Sequence, residues 1–332
     1  MVVVALAVAA VAVMASTSHA QNIAETDKLP AEIAVPPSVP TDPAGKPASE
    51  QSPQDDARKL LGISGSAGYI HQFDTSLSSG GSYSIDRAFG SFARQWNVSE
   101  TVTVGLSVAY EYDNYKWTNG GSLSASPWNS VNTLSIVPRI NYALSDRLSI
   151  SVAPVMQISG EYDADSGESF QWGAIGAVRY KFSDTLNLGF GLLGLTQLED
   201  SALFIPTPLI DWQINESFAI STIRGPEANP FAGAEAIYEV SKSSELALGG
   251  GFSSQRFRLS SDSQVSNGVG QNQNVPIFVR FGVGRDGPWR VDLVAGVSVF
   301  NTLELDDSNG NQVGSSSGDA GLILGVFGGI KF

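Results

Sequence analysis

From Thr101 to Tyr112 the chain alternates without a break. Val102, Val104, Leu106, Val108, Tyr110 and Tyr112 fall on one face. Thr101, Thr103, Gly105, Ser107, Ala109 and Glu111 fall on the other. A period of two is that of a β-strand with one apolar side, because successive side chains point to opposite faces of the pleat. The same even-numbered apolar set runs through Leu148, Ile150, Val152, Pro154, Met156 and Ile158, and again from Phe170 to Phe182. After a change of register it falls on odd positions, at Val275, Ile277, Val279, Phe281 and Val283, then from Val291 to Val299. From Gly62 onward the pattern is that of strands, and the chain is read as all-β.

Soluble sandwiches also alternate, and three features separate them from a membrane barrel. First, the connections alternate in length. Short turns are read at Asn97–Glu100, Ser145–Asp146, Ser183–Asp184, Asn215–Glu216, Ser241–Ser244 and Arg285–Gly287. Longer polar loops lie between them, such as Lys116–Ser130, Ser260–Gln273 and Glu304–Ser317. Short turns at one end and longer loops at the other mark an outer-membrane barrel. Second, Trp96, Tyr142, Tyr180, Trp212 and Tyr238 each precede a short turn. Amphipathic rings at constant height suit a girdle at the lipid–water interface. Tyr110, Tyr112, Tyr115, Trp117 and Trp128 are read as candidates for the opposite rim. Third, the chain ends on an alternating segment, Leu322, Leu324, Val326, Gly328, Ile330, Phe332.

Six short turns separate seven hairpins, giving a transmembrane antiparallel up-and-down β-barrel of about 14 strands over residues 58–332. Pro206 and Pro208 fall inside one segment and lack an N–H for the ladder. Loss of that hairpin leaves 12 strands as the alternative. Parity turns the acidic residues Glu111, Asp211, Glu235, Glu239 and Asp292 inward. It does the same for the basic residues Arg139, Arg179, Lys181, Arg280 and Lys331. A barrel of this size has room for water. Two readings stay open: a polar conduit, or a lumen closed by its own ion pairs. Equal numbers of each sign predict no strong ion selectivity.

The segment ahead of the barrel reads differently. Val2 to Met14 is an unbroken apolar run, and Ser18 and Ala20 place small residues before Gln21. This is the form of a cleaved signal peptide over 1–20, although no Lys or Arg precedes the run. Residues 21–57 hold 7 Pro and no aromatic residue, and are read as a disordered periplasmic linker. The chain contains no Cys, so disulfides and thiolate chemistry are excluded. Its net charge of −14 makes it a poor partner for nucleic acid.

Beyond residue 20, His71 is the one histidine, which argues against a barrel hydrolase. Asp163, Asp165, Gly167 and Glu168 open like a calcium loop, but the spacing fails at the glycine and at the closing glutamate. No enzyme, cofactor or metal is expected. The terminal Ile330 and Phe332 resemble the C-terminal assembly signal of bacterial outer-membrane barrels. The stretch Pro208-Leu-Ile-Asp-Trp-Gln-Ile-Asn-Glu-Ser-Phe218, followed by Arg224-Gly-Pro226, is similar to an uncharacterised family of bacterial barrels. These resemblances imply the outer membrane, with its lipid and lipopolysaccharide, and the barrel-assembly machinery as partners. The expected function is a passive, porin-like conduit for small polar solutes. The alternative is a non-conducting anchoring barrel.

Overall fold

The computed structural model describes residues 62–223, 231–285 and 287–332. The expected signal peptide, the Pro-rich linker and Arg224-Gly225-Pro226 lie outside the described residues. Fifteen strands follow in order. They are β1 (Ile63–Ser76), β2 (Ser82–Asn97), β3 (Val102–Asn119), β4 (Ser130–Ala143), β5 (Leu148–Gly160), β6 (Phe170–Lys181), β7 (Leu186–Gln197) and β8 (Asp200–Gln213). Then come β9 (Phe218–Thr222), β10 (Phe231–Ser241), β11 (Ser244–Arg258), β12 (Val269–Val283), β13 (Trp289–Asp306), β14 (Gln312–Gly318) and β15 (Gly321–Lys331). Each of β1 to β12 pairs antiparallel with the next, and β12 pairs with β13. The lower part of β13 pairs with β15 and its upper part with β14. β14 and β15 are therefore two pieces of one interrupted strand. β15 pairs with β1, closing a 14-stranded antiparallel barrel with both ends of its wall among the short turns.

The long-loop end differs from the sequence expectation. The segments Lys116–Ser130, Ser260–Gln273 and Glu304–Ser317 all contain strand, and the third is mostly strand. β3 runs on to Asn119, β12 begins at Val269, and β13 and β14 take up most of the third. The β7–β8 connection is only Leu198 and Glu199. The strands rise to very unequal heights, and the longest carry polar residues above the apolar stretch.

The outer face is apolar where lipid would lie. Leu106, Tyr110, Ile140, Val152, Phe190, Leu246, Leu293 and Leu324 are all exposed. On β3 the outward set from Val102 to Tyr112 covers about 33 Å of strand, or about 25 Å after a tilt of about 40°. Trp96, Tyr142, Tyr180 and Tyr238 are exposed near the short turns, and Trp212 is half-buried there.

Among the described residues the wall has one weak seam. β9 has five residues, and only three of them pair with β8. The ladder stops there, and the Thr222 side chain takes its place. Its Oγ1 accepts from Ile210 N–H at 2.8 Å and donates to the Pro208 carbonyl at 2.8 Å. The backbone groups of Pro206, Pro208 and Ile210 share one parity and point to this side. Two of the three carry no N–H, so the β8 edge beyond β9 has few donors left to satisfy. This is how a strand with prolines is tolerated in the wall, and the barrel keeps all 14 strands.

Two outcomes follow. Leu106→Arg lowers the free energy of refolding into lipid by about 2–4 kcal/mol, whereas Ser107→Arg, on the inner face, is tolerated. Equal effects at the two positions in urea titrations with vesicles contradict the assignment of faces. Thr222→Val leaves two seam groups unpaired and costs about 1–3 kcal/mol. An unchanged titration midpoint contradicts the bridging role of this side chain.

Candidate functional site: a lumen closed by a nine-strand ring

Above the level of β6 to β10, the barrel closes on itself a second time. Gly160 at the tip of β5 pairs in parallel with Arg258 at the tip of β11. Glu161 N–H then donates to the Arg258 carbonyl at 2.9 Å. At this height β1 to β5 remain paired in order, and β11, β12, β13 and β14 likewise. Leu77 bridges Gly318, joining β14 to the end of β1. The result is a closed ring of nine strands standing on a barrel of fourteen. Barrel diameter grows with strand number, and about eight strands leave an interior that side chains fill.

That interior is filled. Tyr83, Ile85, Tyr115, Val131, Phe257, Leu303 and Leu305 point into the ring, and Leu77, Leu123 and Trp128 enter from the loops. The rings of Tyr115, Trp117, Trp128 and Phe257 meet at centroid distances between 5.2 and 6.4 Å. The expectation that Tyr115, Trp117 and Trp128 serve the outer rim is corrected here. Tyr115 and Trp117 share the inward parity of Glu111 and Asp113, and Trp128 folds over the mouth from its loop. Tyr110 and Tyr112 stay outside. A polar floor lies beneath. Arg87 holds Asp113 with two hydrogen bonds, at 2.7 and 3.0 Å, and reaches Glu111 at 3.2 Å.

The loops above are tied together. The Glu161 carboxylate accepts from Asn129 N–H at 3.0 Å and Ser260 N–H at 2.9 Å, and from the Ser263 hydroxyl. One side chain therefore joins three loops over the ring. Asp165 accepts from the N–H groups of Gly167 (2.8 Å) and Glu168 (3.0 Å), so its carboxylate shapes its own turn. Asp307 is held below the usual carboxylate range by Asn311, through side-chain and backbone donors, and by Asn309 N–H. At the opposite end Lys181 does the same for Asp184, at 2.7 Å.

Between the ring and the short turns, the lumen is divided by chemistry. On the β1 side Phe89 and Phe327 meet at 5.4 Å over Gly68, where a Cβ has no room, 2.4 Å from the Phe89 ring. On the β10–β13 side, Arg280, Arg285 and Arg290 interlock with Glu235, Glu239, Glu245 and Asp292. Arg280 alone reaches Glu235 at 2.8 Å, Glu245 at 2.7 Å and Asp292 at 2.8 Å. Arg290 reaches Glu245 and Asp292 at 2.7 Å, and Arg285 pairs with Glu239.

The remaining side, β2 to β9, encloses a cavity of about 660 Å³. Its lower part holds Gln95, Asn141, Ser151, Arg139 and Arg179. Higher up it is lined by Val137, Val155, Ile175, Leu193, Leu195 and Ile205. Of the other inward candidates, Glu111 lies in the polar floor and Asp211 and Lys331 stand near the short turns. Ile330 and Phe332 are exposed on the outside, and Phe332 N–H donates to the Ile63 carbonyl at 2.9 Å.

A second depression, of about 560 Å³, lies on the long-loop side of the same wall, between the β7–β8 turn and β11. Arg258 lines this depression, and Arg256 and Arg258 tie the β7–β8 turn to β11. Arg256 donates to the Leu198 carbonyl (2.6 Å), Gln271 (2.7 Å) and Asp306 (2.6 Å). Arg258 donates to Glu199 (2.6 Å) and to the carbonyls of Asn267 and Glu168. Sequence reading missed both arginines, because their parity on β11 is that of the outer face. That face is outside the nine-strand ring but inside the span of the fourteen-strand wall. His71 sits on the true exterior, 2.7 Å from Asp86, which also holds Lys116 at 2.7 Å and Tyr69.

No protein-family model matches the chain, and no curated protein sequence matches it. Several solved structures share its architecture. An outer membrane channel from Pseudomonas putida F1 is 9 % identical over 86 % of this chain and 99 % of its own, with a TM-score of 0.46. A FadL homologue from Pseudomonas aeruginosa is 8 % identical over 81 % and 90 %, with a TM-score of 0.47. A KdgM porin in complex with disordered oligogalacturonate is 9 % identical over 80 % and 99 %, at 0.33. The likeness is one of fold.

Gly160 tests the ring. A Cβ there meets Ser169 Oγ at 2.9 Å and the Arg258 carbonyl at 3.1 Å. Gly160→Val pushes β5 from β11, and amide exchange at Glu161 rises at least about tenfold, the equivalent of losing one hydrogen bond. Exchange in β7 and β8 stays as it was. An unaltered rate at Glu161 contradicts the junction.

Proposed function

We propose that this protein is a bacterial outer-membrane channel whose lumen is occluded at the long-loop mouth in the state described here. The observation that carries the reading is the pair of cavities, the inner one lined in part by Leu195 and the outer one by Leu198 at the β7–β8 turn. A solute enters the outer depression, passes Leu198 and Leu195, crosses the inner cavity and leaves among the short turns. This route skirts the nine-strand ring and leaves its apolar core undisturbed.

The apolar exterior supports the membrane setting, since an exposed apolar surface of this extent has a lipid partner. In this reading Trp96, Tyr142, Tyr180, Trp212 and Tyr238 form the periplasmic girdle, and lipopolysaccharide lies at the opposite rim. The exposed Ile330 and Phe332 are offered to the assembly machinery. The chain enters the envelope through the signal peptide read over residues 1–20. The acid–base network of β10 to β13 is a fixed wall of the lumen, and the two arginines of β4 and β6 face it across the passage.

A second reading, a barrel that conducts nothing, is favoured by the filled ring and the tightly held β7–β8 turn. Planar-bilayer recording separates the two. The wild-type protein passes brief, small current steps, and Leu195→Ala with Leu198→Ala gives larger and longer ones. Silence from the double variant, when folded and inserted, contradicts the conduit and leaves the anchoring barrel.

A further inference from the structure

The outer face of β1 to β3 carries a cluster of charge where its apolar stretch ends. Asp86 is the hub. Its Oδ1 accepts from His71 Nδ1 at 2.7 Å and from the Tyr69 hydroxyl, and its Oδ2 faces the Lys116 ammonium at 2.7 Å. A carboxylate only accepts, so His71 Nδ1 carries the proton and Nε2 is left for another partner. Lys116 keeps two further N–H groups, and its side chain is 63 % exposed. Among the described residues neither basic side chain makes another hydrogen bond or ion pair. Asp86 pairs with His71 on one side and with Asn114 on the other. Asn114 is the next outward residue of β3 after Tyr112, so the cluster sits just above the apolar set.

Beneath the cluster the outer wall is low. Going down β2 from Asp86, the outward residues are Ala88, Gly90 and then Phe92. Ala88 stands between Tyr69 and Tyr112, and Gly90 between Ala67 and Tyr110. Ala67 pairs in turn with Gly328 on β15. The barrel's own packing does not require these glycines. A Cβ on Gly90 meets only the Ser66 carbonyl, at 3.6 Å, and one on Gly328 only the Arg290 carbonyl, at 4.0 Å. Tyr69, Tyr110 and Tyr112 are exposed and rise on both sides. The result is a trough about 20 Å long on the outer wall, from Asp86 to Phe92. It has a floor of small residues, tyrosine sides and basic groups at its head.

We propose that this trough holds a phosphorylated lipid of the membrane leaflet nearer the long-loop mouth. The phosphate lies on Lys116 and His71, and an acyl chain lies along Ala88, Gly90 and Ala67. Phosphate oxygens accept from the ammonium and from the second ring nitrogen of His71. An anion at that nitrogen favours the protonated imidazole, and the cluster then sets two cations against one carboxylate whose oxygens are already engaged. The apolar trough directly below the charge selects a lipid over a soluble phosphate. The site rests on the membrane setting proposed above, and it is independent of whether the lumen conducts.

The test is native mass spectrometry of the full chain, folded in octyl glucoside micelles and titrated with dimyristoyl phosphatidic acid, whose head is a bare phosphate. Dimyristoyl phosphatidylcholine, in which a cation caps the phosphate, and inorganic phosphate are the comparison ligands. One phosphatidic acid is retained per barrel, about tenfold more tightly than phosphatidylcholine, and excess inorganic phosphate does not displace it. Lys116→Met and His71→Leu each weaken its retention about tenfold, as expected for loss of a charge-assisted hydrogen bond, and Lys116→Arg keeps it. Gly90→Leu fills the trough, touches no donor and weakens both lipids alike. Arg94→Gln removes a cation from the same outer face, beside Trp96, and changes nothing. Equal retention of the two lipids overturns the proposal, as does retention unmoved by Lys116→Met and His71→Leu. A loss in Arg94→Gln as large as that in Lys116→Met also overturns it, since diffuse charge attraction then accounts for the binding. Displacement by inorganic phosphate overturns the lipid as the occupant. Each variant is confirmed as folded by its change in electrophoretic mobility on heating. A chain that folds into vesicles and prefers neither lipid loses the site and keeps the membrane setting. A chain that does not enter vesicles loses both.

Discussion

The contact between Gly160 and Arg258 organises the rest of the molecule. A uniform 14-stranded wall encloses more space than its own side chains fill. Drawing β5 against β11 removes five strands from the upper circumference and leaves nine, few enough for tyrosine, tryptophan, phenylalanine and leucine to fill the interior. Glycine at 160 is what permits the approach, and the backbone hydrogen bond from Glu161 holds it. The apolar core of the ring, the polar floor beneath it and the off-centre cavity below all follow from that one convergence.

It also decides which face of a strand counts as inside. Below the junction, inward means toward the common lumen. Above it, the outer face of β11 looks over the shorter strands β6 to β8, and Arg256 and Arg258 use that position to hold the β7–β8 turn. Charges that open lipid would exclude are buried there, each held by an acidic partner and by backbone carbonyls. The lower lumen follows the same economy. One wall pairs its arginines with neighbouring carboxylates, another is packed with phenylalanine, and the side beneath the missing upper strands holds the inner cavity.

Much of this was legible in the sequence. Alternation over Thr101–Tyr112 and its repeats gave strands, faces and short turns, and the barrel has the 14 strands that the turn count implied. The prolines at 206 and 208 raised a doubt that Thr222 resolves, by bridging with a side chain where the ladder stops. The ring was not legible, because a period of two states which way a side chain points and is silent on which strands meet across a mouth. Tyr115 is instructive. Its parity with Glu111 put it inside, yet an aromatic near a strand end also suits a membrane rim, and only the convergence of β5 and β11 decides between them. The loop-rich composition of Ser260–Gln273 and Glu304–Ser317 concealed strand for a related reason. Above the lipid, a strand needs no apolar outer face.

The most direct test of this account is the distance between β5 and β11 at the mouth. The chain has no cysteine, so spin labels can be placed singly at Asp163 and Asp262, both exposed on the loops that follow these strands. Fourteen strands about 4.8 Å apart and tilted about 40° make a wall about 28 Å across, and β5 and β11 stand nearly opposite one another in it. Dipolar spectroscopy of the doubly labelled protein in lipid is predicted to give one narrow peak at roughly half that diameter or less. A distribution centred near the full diameter would show an unpinched barrel and contradict the ring on which the account rests.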